Sequence, residues 1–320
     1  MEVLVTGPFG NIGESTLIAL SKTHHDIRCF DIRTKANEKK MEALSEKIKF
    51  EVIWGDITNI ESVKNAVKNV GCIIHLAAII PPPSESNPEL AKRVNVGGTG
   101  NVIEAAESME HKPKLVFTSS ISTHGHRGPE SPLLTADAPQ NPTDNYTHHK
   151  IECESLIRSS GLDWTIVRLT AVPPLEVSGG DLDVSFFDVP YDQKVEFVHT
   201  RDVGTALAHA VDADAIGKTL LIGGGERCQL TFGEFINKMM KAMGIGEFPR
   251  EAFKVPEKLE DYYYTDWMDT TESEKLLRYQ EHTLDDFLQE MKDNLGARKY
   301  LMKIIGPLAK RTILRKSPYL

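Results

Sequence analysis

The chain has 320 residues, of which 40% are hydrophobic, 26% charged and 7% aromatic, the composition of an ordinary globular protein. Its formal net charge of −9 argues against a nucleic-acid-binding body, because neutralising phosphates requires a surplus of Lys and Arg. It carries no apolar stretch long enough to span a membrane and begins with a strand pattern rather than a signal peptide, so we expect a cytoplasmic protein that binds a small molecule.

Short β-branched stretches alternate with helical segments from residue 2 to about 170. In chain order the predicted strands are EVLVT, IRCFD, FEVIWGD, CIIHLAA, KLVFTSS and WTIVRL. Nearly continuous apolar strands with helices between them predict a parallel sheet covered on both faces. The expected fold class is therefore α/β, a doubly wound Rossmann domain. Two long helices rich in small residues are expected at about 90–110 and 143–160.

The pattern loosens after residue 170, where prolines and the pair Gly179 and Gly180 interrupt it. The stretches VEFVHT and TLLIGG then predict a return to the sheet domain over about 195–224. Two further helices are predicted after the capping residues Thr231 and Thr283. The predicted organisation is a sheet domain over 1–170 with that return segment, a discontinuous smaller lobe over 171–194 and 225–295, and a basic amphipathic tail over 296–320.

The first strand leads directly into Gly7, Gly10 and Gly13, which are followed by a helical segment. In this context the first glycine permits a tight turn, the second lets main-chain N–H groups approach a pyrophosphate, and the third lets the helix pack on the strand. The spacing predicts a dinucleotide site.

An acidic residue, Asp31, closes the second strand 18 residues beyond Gly13. Its carboxylate would accept hydrogen bonds from the adenosine ribose and repel a 2′-phosphate, which favours NAD over NADP. Arg33 lies two residues further on and would tolerate a phosphate. Asp56, at the end of the third strand, would meet the adenine edge or would cap the helix that begins near Asn59.

Tyr146 and Lys150 are four residues apart on a predicted helix and so share one face. An ammonium beside a phenol would lower the phenol pKa, which would let Tyr146 exchange a proton with a hydroxyl or carbonyl oxygen. Ser119 and Ser120 end the fifth strand, and Asn95 lies upstream. The predicted catalytic set is Ser120, Tyr146, Lys150 and Asn95, which together would form a proton relay.

With these motifs the chain resembles the extended short-chain dehydrogenase/reductases, the NAD-dependent epimerase/dehydratase family, over about residues 1–290. The matching pieces are TGPFGNIG, GDIT, HLAA at 75–78, NVIEAA after Asn95, FTSSIS, the Tyr146 and Lys150 pair, and FVHTRDVGTAL at 197–207. The resemblance implies that Tyr146 is the acid/base, that Lys150 holds the nicotinamide ribose and that Ser120 contacts the substrate oxygen. It also implies NAD as cofactor and a homodimer formed through the two long helices.

Together the motifs and the resemblance define the expected cofactor contacts. They are Gly7, Phe9, Gly10, Asn11, Ile12, Gly13, Asp31, Asp56, Ile57, Leu76, Ala77, Ala78 and Lys150.

Departures from the family pattern bear on the substrate. Ile121 and Ser122 stand where the family's dehydratases carry two carboxylic acids, so dehydration is not expected. Ala171 and Val195 stand where nucleotide-sugar epimerases carry an Asn and an Arg that grip the diphosphate. His124 replaces a Tyr of the family's loop. We expect His124 and Ala171 to contact the substrate.

Two other features have an alternative interpretation each. Histidines 124, 126, 148 and 149 match no metal-ligand spacing, and no metal is expected. The tail contains seven Lys or Arg and no acid, so it would either lie on an anionic membrane surface or dock on the acidic remainder of the chain, which carries about −16.

The sequence therefore predicts an NAD-dependent oxidoreductase or epimerase that transfers hydride at a carbinol or carbonyl carbon, with a sugar or nucleotide sugar as one substrate class. The alternative enzyme is a reductase or dehydrogenase of a non-sugar ketone or lactone, as in the steroid and flavonoid branches. A different class is a non-catalytic NAD-sensing protein, which would be expected to lack Tyr146 or Lys150.

Overall fold

A computed structural model describes residues 1–175, 184–296 and 298–320. Of the expected lobe, residues 176–183 lie outside the described residues, as does residue 297 of the expected tail. Within the described residues the strands, in chain order, are β1 (Glu2–Thr6), β2 (Asp26–Asp31), β3 (Glu51–Trp54), β4 (Cys72–His75), β5 (Lys114–Ser120), β6 (Trp164–Leu169), β7 (Lys194–Glu196), β8 (Lys218–Ile222) and β9 (Gln229–Thr231).

The helices of the first half of the described chain are α1 (Asn11–Leu20), α2 (Lys35–Ser45), α3 (Ile60–Val67), α4 (Pro83–Ser86), α5 (Pro88–Lys92) and α6 (Gly98–Glu107). Those of the second half are α7 (Asn145–Ser159), α8 (Thr200–Ala210), α9 (Phe232–Ala242), α10 (Thr271–Leu277), α11 (Leu284–Asn294) and α12 (Arg298–Leu314). A π-helical turn over Arg93–Gly97 joins α5 to α6, so the first of the two long helices expected from the sequence contains this turn.

Seven strands form one parallel sheet in the order β3-β2-β1-β4-β5-β6-β8, which is the predicted doubly wound arrangement. Alternate residues of β1 face opposite sides: Val3 and Val5 join a core under α1 and α8, whereas Leu4 joins a core under α3, α6 and α7. Because successive strand side chains point to opposite faces, an almost wholly apolar strand fills both cores.

The expected strand VEFVHT does not enter this sheet. Its first two residues, Val195 and Glu196, belong to β7, which pairs antiparallel with β9 in a separate two-stranded sheet. The chain returns to the main sheet through α8 and β8, and Thr200 at the start of α8 bonds through its hydroxyl to Ser15 on α1 at 3.0 Å.

The smaller lobe has an aromatic core in which Phe187, Phe248 and Phe253 pack together with Ile313 of α12. The predicted helix caps are present, since Thr231 and Thr283 each form a reciprocal capping box at the start of α9 and α11. All four cysteines are buried free thiols. In the described part of the chain, no helix combines the length and the apolar character needed to cross a lipid bilayer.

Candidate active site

The turn after β1 has the geometry that its three glycines allow. Gly7 has a φ of +69°, and a Cβ there would lie 2.9 Å from the main chain of Ala77. A Cβ on Gly13 would lie 2.5 Å from the Gly7 carbonyl oxygen, so only glycine lets α1 start this close to the turn. A Cβ on Gly10 would have only the Gly7 oxygen nearby, at 3.6 Å, so this residue faces open space.

The N-terminus of α1 opens into a cleft at the carboxyl edge of the sheet. Gly10 is the N-cap of α1 and supplies no side chain to satisfy the first N–H groups of the helix. Helix N–H groups and the helix dipole favour an anion at such a position. The cleft has a volume of about 310 Å³, and its lining residues are Gly7, Gly10, Asn11, Ile12, Gly13, Leu76, Ala78, Ile80, Thr118, Ser119, Ser120, Tyr146, Lys150, Leu169, Thr170 and Val172. These residues fit the pyrophosphate and nicotinamide half of a dinucleotide.

Asp31 lies at the other end of the glycine turn, at the end of β2. Its carboxylate accepts hydrogen bonds from the main-chain N–H groups of Ile32, at 2.8 Å, and of Phe9. Burial raises the pKa of this carboxyl above its ordinary value, and the two main-chain hydrogen bonds oppose that rise. The Phe9 ring packs against Trp54 with centroids 5.5 Å apart, which fixes the turn beside β2 and β3.

Asp56 and Ile57 follow β3, which ends two residues earlier than the sequence pattern indicated. Asp56 is exposed and accepts from the N–H and hydroxyl of Thr58, both at 2.8 Å. The expected alternative, that Asp56 caps the following helix, is wrong, because Asn59 is the N-cap of α3. Ile57 is buried against Gly98 of α6.

Behind the cleft, the stretch 75–78 is tied to β1 by a buried polar chain. Thr6 accepts from the N–H groups of Leu76 and Ala77, both at 3.2 Å, and its hydroxyl lies 2.7 Å from Nδ1 of His75. The second ring nitrogen of His75 lies 2.9 Å from the Thr99 hydroxyl. Burial lowers the pKa of His75 to about 3, so this histidine is neutral and structural.

Ser120, Tyr146 and Lys150 all line the cleft, although they come from two elements. Ser120 is the last residue of β5, and its hydroxyl lies 2.7 Å from that of Ser122. Asp144 caps α7 in a capping box with Thr147, which places Tyr146 in the first turn of the helix and Lys150 one turn later on the same face.

Lys150 lies at the floor of the cleft. Its side chain is buried, and its ammonium donates a 2.7 Å hydrogen bond to the Thr118 carbonyl oxygen. The same nitrogen lies 5.6 Å from the centroid of the Tyr146 ring. Burial lowers the pKa of Lys150 to about 8, so its proton is held less tightly than that of a surface lysine.

The pKa of Tyr146 differs from the sequence-based expectation. Burial raises it above the ordinary value, and the nearby Asp144 adds to the rise, whereas a hydrogen bond with Ser120 opposes it. The loss of hydration on burial is the largest cause, and the Ser120 hydrogen bond does not outweigh it.

Asn95 does not reach the cleft. Its side-chain amide donates to the Ile79 carbonyl oxygen at 2.9 Å and accepts from the Ile79 N–H at 2.7 Å. Since both ends of the side chain are occupied by one main-chain residue, Asn95 positions the segment after β4. Its own carbonyl oxygen accepts from Thr99 at 2.6 Å.

His124, expected to contact substrate, is buried away from the cleft. Its Nε2 accepts from Arg168 at 3.1 Å, so Nδ1 carries the proton and donates to the Pro139 carbonyl oxygen at 3.0 Å. Burial lowers the pKa of His124 to about 4. The histidine is therefore the end of a structural network and not a substrate contact.

The centre of that network is a buried ion pair that sequence reasoning missed. Arg168 donates from Nε and Nη2 to the two carboxylate oxygens of Glu154, at 2.9 and 2.7 Å. Glu154 lies one helical turn beyond Lys150, and Arg168 directly precedes the cleft residue Leu169. The pair thus joins α7, which carries Tyr146 and Lys150, to β6. A Glu four residues after Lys150 and an Arg in an apolar strand were the available signals.

A second cavity of about 210 Å³ adjoins the first and shares Ser120, Tyr146, Leu169 and Thr170 with it. Its remaining lining residues are Pro81, Ile121, Ser122, Asp144, Ala171, Tyr263, Tyr264 and Thr265. Ala171 thus lines this cavity, whereas Val195 is buried in β7.

The stretch from Tyr263 to Thr265 comes from the smaller lobe and was not expected at the site. The buried amide of Gln193 holds it, accepting from the Tyr263 N–H and donating to the Thr265 carbonyl oxygen, both at 2.7 Å. The rings of Tyr263 and Tyr264 stack with centroids 4.0 Å apart. Three adjacent tyrosines at 262–264 were a compositional signal, but nothing local to them indicated the cavity.

Comparisons with known proteins agree with this architecture. Residues 4–166 match the 3-beta hydroxysteroid dehydrogenase/isomerase family. A D-erythronate dehydrogenase of Cupriavidus necator is 28% identical over 126 residues, which span 38% of this chain and only 38% of that relative. Sterol demethylase protein B of Methylococcus capsulatus is 27% identical over 272 residues, covering 81% of this chain and 79% of that protein.

Among solved structures, the UDP-glucuronic acid 4-epimerase of Bacillus cereus in complex with UDP-glucuronic acid and NAD has a TM-score of 0.75 at 21% identity, covering 92% of this chain and 98% of that chain. This likeness confirms the predicted fold. The family match covers the glycine turn, the Tyr146 and Lys150 pair, and all or part of six strands of the main sheet. The chain therefore belongs to the 3-beta hydroxysteroid dehydrogenase/isomerase family, within the extended short-chain dehydrogenase/reductases.

Proposed function

We propose that this protein is an NAD-dependent oxidoreductase that interconverts a secondary alcohol and a ketone on a small uncharged substrate. The proposal rests on the two adjoining cavities, which share Ser120 and Tyr146. The first cavity begins at the N-terminus of α1, and Tyr264 lines the second. A hydroxyl bound in the second cavity would meet both side chains at the boundary.

The residues suit the two halves of the reaction. The nicotinamide, when bound, supplies the hydride acceptor or donor. Tyr146 would hold or release the proton of the substrate oxygen, and Ser120 would hydrogen-bond to that oxygen. Lys150, with a pKa of about 8, would bond to the nicotinamide ribose and stabilise a phenolate. A non-catalytic NAD sensor is less well supported, because all three side chains line the cleft.

The charges around the second cavity favour the non-sugar alternative. Among its described lining residues Asp144 is the single charged side chain, so no Lys or Arg is present to bind a diphosphate. A nucleotide sugar would therefore meet repulsion, whereas a neutral ring would pack on Tyr263 and Tyr264. The family match points to the same substrate class.

The test is a substrate panel with matched variants. Purified protein with NAD would be given a 3β-hydroxysteroid, D-erythronate and UDP-glucuronic acid. NADH formation would be followed by absorbance, and sugar products would be identified by chromatography because epimerisation leaves no net NADH. Turnover of the steroid is expected, and Tyr146→Phe should lower it by roughly 100- to 10,000-fold, as for loss of a general acid/base. Tyr319→Phe, the same chemical change at the distant tail, is the control. Turnover of UDP-glucuronic acid alone would contradict the proposed substrate class.

We also propose the homodimer expected from the family. Helices α6 and α7 lie side by side, and Lys92 of α5 pairs with Glu152 of α7 at 3.6 Å. Leu156 of α7 is 40% exposed, which is unusual for an apolar side chain in the middle of a helix and suits a subunit contact. A cytoplasmic location stays a proposal, supported by four buried free thiols.

Peripheral membrane contact through the tail is a further proposal. The tail is docked on the smaller lobe: Ile313 is buried, Ser317 donates to the Ala252 carbonyl oxygen at 2.7 Å, and Tyr319 donates to Asp188 at 2.7 Å. The outer side of α12 nevertheless leaves Leu308 69% exposed beside Arg311. An apolar side chain among cations suits an anionic lipid surface.

A further inference from the structure

The adenosine end of the cleft has a cation that the sequence pattern did not single out. Lys40 on α2 donates a 2.8 Å hydrogen bond from Nζ to the carbonyl oxygen of Phe9. The N–H of the same residue, Phe9, donates to the carboxylate of Asp31. The N–H and C=O groups of one residue are joined through a single Cα. The Lys40 ammonium and the Asp31 carboxylate therefore bind to the two sides of Phe9.

The cation expected from the sequence is engaged elsewhere. Arg33 donates from Nε to Glu38 at 2.7 Å, and its side chain is 69% exposed. This pair lies along the surface of α2, whereas Lys40 crosses from the second turn of the same helix to the glycine turn. Of these two basic residues, Lys40 is therefore the one held against the cofactor loop.

We propose that Lys40 is a second residue that determines the choice between NAD and NADP, offsetting the repulsion that Asp31 exerts on a 2′-phosphate. The proposal rests on the proposed NAD binding. Asp31 would bond to the ribose hydroxyls of NAD, so NAD remains preferred. The ammonium places a positive charge beside that carboxylate, so the additional negative charge of NADP is tolerated at reduced affinity. A carboxylate without such a neighbour would exclude NADP more strongly.

Lys40 has a second effect, which the test must separate from the first. Its hydrogen bond to the Phe9 carbonyl also steadies the glycine turn, and both cofactors use that turn. Loss of the hydrogen bond would weaken NAD and NADP alike, whereas loss of the charge would weaken NADP alone. The ratio of the two dissociation constants therefore reports the charge.

The experiment measures binding of NAD and of NADP to the full chain by calorimetry, for the native protein and three groups of variants. Lys40→Gln keeps a hydrogen-bond donor without charge and should raise the NADP-to-NAD ratio of dissociation constants about fivefold, the upper end for an exposed ion pair. Lys40→Arg keeps the charge and should leave the ratio within about twofold. Arg33→Met and Lys39→Met, which remove neighbouring cations of the same helix region, are the controls and should also leave it unchanged.

Two results would overturn the inference: an unchanged ratio in Lys40→Gln, or a change in Arg33→Met as large as that in Lys40→Gln. A rise in the ratio that disappears at about 1 M salt would support it, since exposed charge interactions are screened there. If the native chain bound neither dinucleotide, the proposed function itself would fail, which is distinguishable from an unchanged ratio in a chain that binds NAD.

Discussion

The ion pair between Glu154 and Arg168 gives the sharpest stability prediction. Both side chains are almost fully buried, at 2% and 4% exposure, and two N–H···O bonds join them. Arg168 additionally donates to the Ala136 carbonyl oxygen at 2.8 Å. Although burial alone would raise the pKa of Glu154, its hydrogen bonds with Arg168 hold that pKa below its ordinary value, so the carboxylate is charged at neutral pH.

The perturbation is Arg168→Met, which leaves a buried carboxylate without its main partner. Removing one partner of a buried pair costs about 3–5 kcal/mol, because the remaining charge stays desolvated. Arg158 and Gln140 also donate to Glu154, each at 3.2 Å, and they would offset part of that cost. We therefore expect the free energy of unfolding to fall by about 3 kcal/mol, the lower end of that range.

The double variant Glu154→Leu with Arg168→Met removes both charges and should be less destabilised than the sum of the two single variants. Replacing a buried ion pair by apolar side chains is often nearly neutral, so the coupling free energy in the cycle should exceed about 2 kcal/mol. Arg158→Met is the matched control: its side chain is 39% exposed, and the loss should stay below about 1 kcal/mol.

The assay is urea unfolding followed by tryptophan fluorescence, with stabilities compared by linear extrapolation. Because a carboxyl with a depressed pKa stabilises the folded state above its unfolded pKa, the native advantage over Arg168→Met should shrink as the pH falls below about 4.5. A cost for Arg168→Met equal to that of Arg158→Met, or single-variant costs that simply add, would show that the two buried charges do not stabilise each other.

Three further predictions concern pH, assembly and the membrane. Burial lowers the pKa values of His124 and His199 to about 4, whereas a histidine of the unfolded chain has a pKa near 6.5. The unfolded state therefore takes up these protons first as the pH falls. The free energy of unfolding should be greatest above pH 6.5 and fall by up to about 3 kcal/mol per histidine towards pH 4. Urea unfolding at several pH values checks this, and His124→Gln should flatten the dependence. Light scattering should show a dimer at micromolar concentration that Leu156→Glu dissociates; a native monomer would contradict the assembly proposal. The full chain should sediment with vesicles that contain phosphatidylserine but not with vesicles of phosphatidylcholine alone, and Leu308→Ser should weaken that binding. Equal sedimentation with both kinds of vesicle would count against an electrostatic contact.

Sequence reasoning reached the features that local rules govern. The strands of the main sheet follow from short, nearly continuous apolar stretches, since a strand buried on both faces carries apolar side chains on both. The glycine turn was predictable because the close approach of Gly13 to Gly7 and the positive φ of Gly7 tolerate no side chain. Tyr146 and Lys150 were predictable as neighbours because four residues make about one helical turn.

Only the tertiary structure decided how distant segments meet. Tyr263 and Tyr264 reach the site because Gln193 and the packing of the smaller lobe bring them there, and no local pattern encodes that contact. Tertiary packing also placed His124 in hydrogen-bonding contact with Arg168, and Asn95 in contact with Ile79. It placed Lys40, and not Arg33, against the glycine turn. In each case the residue type allowed several partners, and the choice followed from which surfaces became buried together. Burial also reversed the expected direction of the Tyr146 pKa shift, because loss of hydration is the largest cause of that shift.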